Sequence, residues 1–200
     1  VLWHPTKNVI TTLFKIELLY FYLLFFVVSY ILFSQGSKLA YFQKPIDFAH
    51  WFNLIGAVLL ISFNKVFPKN NLHTVASFVT TLGVIAHIGL CTIDFIMSSY
   101  GNNEIAKEAL SQQISNSPLI FYPFVAVGPS LLFLGLALHA FAFIKTETLK
   151  SLMVIVGSVA VGFSFFVLKN GVCMLLSCLV FVLGLGLLLH KKDAEKLLEE

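Results

Sequence analysis

Arginine is absent from this chain of 200 residues, and all thirteen basic side chains are lysine. Without guanidinium there is no planar fork to meet phosphates and carboxylates bidentately. That argues against nucleotide or anion recognition, although lysine still serves as a point charge. Charge of either sign is scarce at 12%, against 58% hydrophobic residues and a mean hydropathy of +0.90. Soluble domains carry about a quarter charged residues, so the composition excludes an ordinary soluble domain. Cysteine is limited to Cys91, Cys173 and Cys178. None forms a CxxC pair, which disfavours a thiol oxidoreductase and reads as buried, apolar-like thiols. Neither HExxH nor GxSxG occurs, so no complete catalytic motif names a reaction.

What the chain has instead is long apolar runs. A helix needs about 20 residues to cross a hydrocarbon core of about 30 Å. Six runs approach that length, at about 9–34, 46–67, 72–98, 118–145, 149–168 and 171–190. A β-barrel would alternate apolar and polar residues, whereas Phe21 to Phe33 and Leu175 to Leu189 are apolar on every face. The expected fold is therefore all-α: a polytopic, six-transmembrane antiparallel bundle forming a single domain over residues 1–200. The first run exceeds the length of a signal-peptide core and lacks a small-residue cleavage site after Phe33, so it is expected to be a retained helix. In a six-span arrangement Lys7, Lys15, Lys65, Lys69, Lys145, Lys150, Lys191, Lys192 and Lys196 share one side, and Lys38, Lys44, Lys107 and Lys169 the other. The positive-inside rule then predicts cytoplasmic N- and C-termini in an inner, cytoplasmic-type membrane.

Residues 103–114 behave differently. Ile105, Ala106, Ala109, Leu110 and Ile114 share one helical face, with Glu104, Lys107, Glu108 and Gln112 on the rest, predicting a short interfacial helix outside. Ser117-Pro118 then reads as a cap with proline in the first turn. Pro123 and Pro129 deprive carbonyls near Leu119 and Val125 of their donors and predict a bend in the fourth span. Such a bend either lines a cavity or reflects the general tolerance of membrane helices for proline. Gly128, Gly135, His139 and Ala142, with Gly157 and Gly162 on the next span, read as close-packing surfaces.

The most informative pattern is a stripe in the third span. Thr80, Gly83, His87, Cys91, Asp94 and Ser98 recur every three or four positions and share one helical face. A charged carboxylate near the bilayer centre costs about 3 kcal/mol on insertion scales, so such groups are functional hypotheses by default. Level with Asp94 at the outer end lie Asp47 and His50, with Asn53 one turn further. Asp47, His50, Asp94 and His87 are ligand types suited to zinc or manganese, and a carboxylate beside an imidazole equally suits a proton relay. The bland alternatives are interfacial residues in contact with water and an ion pair that holds helices together. A second group, Glu17, His73 and His139, lies toward the other side, with Glu17 as the expected partner of His139. A haem shared by His87 and His139 is disfavoured by a depth mismatch of about 15 Å.

Three functions compete on these residues. The first is binding or translocation of a small solute or lipid-like ligand in an outward-facing polar cavity between the second, third and fourth spans. Asp94, His87, Ser98, Cys91, His139 and Glu17 would supply its ligand contacts and proton coupling. The second is a membrane-embedded, metal-dependent enzyme acting on a lipidic substrate. The third is an accessory or sensor subunit that packs against a membrane partner, or a homo-oligomer, through the glycine-bearing faces. The lipid bilayer is the partner common to all three, and nucleic acid is a partner in none.

Overall fold

The computed structural model describes residues 7–36, 46–67 and 69–198, with side chains for 18–36, 46–67 and 69–189. Among the described residues there are helices and no strands. In chain order they are α1 (Lys7–Ser34), α2 (Phe48–Leu60, prolonged by a 3₁₀ segment, Ile61–Lys65), α3 (Asn71–Ser99), α4 (Glu104–Ser115), α5 (Pro118–Phe141), α6 (Thr148–Leu168) and α7 (Gly171–Leu198).

Four of these are long and apolar enough to cross a membrane: α3, α5, α6 and α7 as far as Leu189. This is a membrane protein, and among the described residues four crossings follow from length and apolarity alone. The two remaining runs are not among these four. In α1 the described apolar part is Leu18–Ser34, and α2 leaves α-geometry at Ile61 after 13 residues. The fourth run also ends earlier than expected, at Phe141, and continues as turns through Ile144 and Thr146.

Asparagine and aspartate set most of the starts, because a short side-chain oxygen can accept from the unpaired amides of a first turn. Asp47 accepts from His50 N, Asn70 from His73 N and Asn103 from Ala106 N. Asn170 accepts from both Val172 N and Cys173 N at 3.0 Å to open α7. Ser117 departs from expectation, since its hydroxyl donates to Gln113 O (2.8 Å) and leaves the start of α5 without a side-chain cap. In α5 the residues Phe121–Ala126 form a π-helical turn, closed by Val127 N to Tyr122 O at 2.9 Å. Prolines at 123 and 129 supply the cause, since neither has an amide to keep the i−4 ladder in register.

Six helices pack as a closed ring, α1–α2–α3–α5–α6–α7 and back to α1. Glycines make the closest approaches. A Cβ on Gly83 would run into the Leu132 backbone, and one on Gly135 into Thr80. On the other flank Gly157 meets the Phe181 backbone and Gly184 meets Val154. Gly128, Gly135 and Gly157 of α5 and α6 thus sit in close packing within the chain. Gly162 is the exception, with no atom within 4 Å of a Cβ built on it. Toward the end carrying Leu60, Phe63, Leu136, Leu185 and Leu189 the ring is filled by side chains that are fully buried. Toward the α4 end it is hollow.

Candidate functional site

The hollow is a cavity of about 830 Å³. Its volume lies within the ~300–1,000 Å³ typical of small-ligand sites. The π-helical turn of α5 brings Phe121, Val125 and Ala126 to its wall, and α6 contributes Gly162, Phe165 and Phe166. Ile114 and Ser115 of α4 stand at its edge. His87 and Phe133 line its depth, where Phe133 packs edge-on to the buried Phe26 and to Phe181. From Met97 to His87 the wall follows ten residues of α3, about 15 Å at helical rise.

The lining is mostly apolar, which corrects the expectation of a polar cavity, and α1, α6 and α7 contribute as well as α2, α3 and α5. The reason lies in how the polar groups are used. Asp47 and Asp94 face His50 from opposite sides, with His50 Nδ1 at 2.6 Å from Asp47 Oδ2 and His50 Nε2 at 3.2 Å from Asp94 Oδ2. A carboxylate at each ring nitrogen is matched by the imidazolium, since only that form carries a proton on both. The three side chains thus turn polar atoms toward one another, two carboxylates sharing one imidazole.

The same arrangement bears on the metal set Asp47, His50, Asp94 and His87. A metal takes a bare ring nitrogen, and both nitrogens of His50 are engaged. Among the described residues no three His, Cys, Asp or Glu side chains form a group suited to a metal ion. The four expected ligands are therefore not gathered on one point.

The stripe on α3 turns inward over most of its length. Thr80, His87 and Cys91 are buried, and Asp94 is half-buried. Ser98 is exposed and stands outside the cavity lining. Cys91 and His87 both line the cavity, but Asp94 pairs with His50. His87 is 3% exposed, faces the backbone of Pro129, and leaves Nδ1 without a hydrogen-bond partner. One turn below His50, Asn53 is 7% exposed, and its Oδ1 has no partner either.

His139 belongs to the opposite end of the ring. Its Nε2 lies 3.0 Å from Asn64 Oδ1, its ring stacks on Phe67, and His73 stands beside it with centroids 5.0 Å apart. Asn64 Nδ2 donates to Ser77 O at 3.2 Å, so its oxygen is the atom left for His139. Glu17 lies outside the residues whose side chains are described. Sequence reasoning missed Asn64, an amide in the second apolar run that meets His139 of the fourth. It also took Lys169 only as a topology lysine. Lys169 lines the cavity and has the left-handed backbone (φ 48°) that usually belongs to glycine or asparagine.

No protein-family model, curated protein or solved structure matches the chain.

Proposed function

We propose that this membrane protein binds a lipid-like amphiphile, its apolar body in the hollow of the ring and its polar end toward α4. One observation carries this. Two residues of the mostly apolar lining, Asn53 and His87, each carry a buried polar atom, Oδ1 and Nδ1, that has no hydrogen-bond partner in the chain. An unsatisfied buried polar group costs about 1–3 kcal/mol, so a molecule that offers hydrogen bonds amid aliphatic bulk recovers what the empty site forfeits. A small polar solute fits less well, because the walls of aromatic and aliphatic side chains would desolvate it without return.

The same reading extends to topology. The 13 residues of α2 rise about 20 Å, and the five-residue 3₁₀ segment adds about 10 Å. Their sum matches a hydrocarbon core of about 30 Å. With α1 this makes six crossings, and the lysine bias places both termini in the cytoplasm and α4 outside. The amphiphile then enters from the outer leaflet. Because His87 and Asp94 line one cavity without touching, proton coupling between them would have to run through bound ligand or water.

Equilibrium binding of a fluorescent monoacylglycerol to the purified protein tests the reading. Saturable binding of one molecule per chain, weakened by Asn53→Leu and by His87→Phe, is the expected result. Unsaturable partitioning that is the same in all three proteins would exclude it.

A further inference from the structure

We propose that the head group received at the α4 end is zwitterionic, with its acidic part on Lys169 and its ammonium on Asp94. The proposal rests on the amphiphile reading and specifies the ligand's class. Both residues line the same cavity. Among the described residues at that end, Lys107 is paired with Glu104 at 2.8 Å, whereas Lys169 has no carboxylate within ion-pair distance. A lysine held in left-handed backbone next to Asn170 and Gly171, either of which suits that conformation better, is placed there at a conformational cost.

Across the cavity the carboxylates of Asp47 and Asp94 share the single imidazolium of His50, leaving one negative charge uncompensated. That charge is reachable at Asp94, whose side chain is 32% exposed and faces the cavity; Asp47 does not line it. The wall therefore offers one cation and one net anion beside an apolar hollow. An anionic amphiphile satisfies Lys169 but sets its charge against Asp94. A cationic one does the reverse. A phosphate or carboxylate joined to a primary ammonium engages both through charge-assisted hydrogen bonds. Below this mouth Asn53 Oδ1 accepts a hydroxyl or amide N–H from the ligand's linker. A single-chain lysophospholipid with an ethanolamine head has all of these groups.

Competition against fluorescent monoacylglycerol, using the full chain in detergent, separates the possibilities. The competitors share one chain length: lysophosphatidylethanolamine (zwitterionic), lysophosphatidic acid (anionic), a primary alkylamine (cationic) and unlabelled monoacylglycerol (neutral). The zwitterion is expected to bind about ten-fold more tightly than the neutral probe, the scale of one charge-assisted hydrogen bond. Lys169→Gln should shrink that advantage to about two-fold and move the preference toward the alkylamine. Asp94→Asn should move it toward lysophosphatidic acid. Where Asp94→Asn fails to fold, Lys169→Gln decides alone, since its side chain is exposed. Equal affinity for all four competitors, or a preference for the anion in the unaltered protein, overturns the head-group assignment while the amphiphile reading stands. If monoacylglycerol itself fails to bind, both are overturned.

Discussion

His50 shows how much one residue can decide. With a carboxylate at each ring nitrogen it neutralises part of an acidic pair and has both nitrogens engaged, while the deeper Asn53 Oδ1 and His87 Nδ1 are among the buried polar atoms without hydrogen-bond partners. Asn53→Leu replaces an unsatisfied amide oxygen with apolar bulk of similar size. Thermal unfolding of the ligand-free protein should show a gain of about 1 kcal/mol, together with loss of ligand-induced stabilisation. Lys169→Gly relieves a left-handed backbone that costs a side-chain-bearing residue about 1–2 kcal/mol, offset in part by the greater freedom of glycine when unfolded. A melting temperature at or above that of the unaltered protein is expected, and a clear loss would show that the lysine side chain holds the turn. At this scale the sequence was half legible. The three-and-four spacing of His87, Cys91 and Asp94 put them on one inward face, because helical geometry alone determines it. The pairing of Asp94 with His50 and not with His87, and of His139 with Asn64, depends on side-chain directions across different helices, which spacing does not encode.

At the scale of the element, departures from α-geometry occur at both ends of the ring. The π-helical turn of α5 places Phe121, Val125 and Ala126 on the cavity wall, and the 3₁₀ end of α2 prolongs that helix at the filled end. Proline marked the first in advance, since a missing amide is written in the residue itself. Nothing so local marks the second. Ile61 to Lys65 contain neither proline nor glycine, and Asn64, which binds Ser77, Thr81 and His139, acquires its partners only through packing. Pro123→Ala restores an amide donor and should draw the first half of α5 toward regular helix, narrowing the cavity and weakening amphiphile binding several-fold. Gly135→Leu is expected to be severe, with loss of about 3 kcal/mol or more and poor recovery of folded protein in detergent, because its side chain would enter Thr80 on α3. Gly83 and Gly135 hold α3 and α5 together, and a small-residue pattern is readable in sequence. Which helix receives it is not.

For the molecule as a whole, composition spoke most clearly. All-helical architecture and helices apolar enough to cross a membrane follow from the long apolar runs, and the described residues have both. The hollow itself was not legible in its chemistry. Polar residues at the α4 end suggested a polar cavity, yet they pair among themselves and leave aromatic and aliphatic walls. A ring filled at one end and hollow at the other lets stability reside in the filled end while the hollow end accommodates a ligand. Gly162 faces that hollow with nothing near its missing Cβ, so a large side chain there occupies ligand space without a backbone clash. The most direct measurement is fluorescent monoacylglycerol binding to Gly162→Phe protein, with thermal unfolding run beside it. The cavity as a ligand site predicts unchanged melting and an affinity at least about ten-fold weaker; full affinity in a variant that remains folded would contradict it.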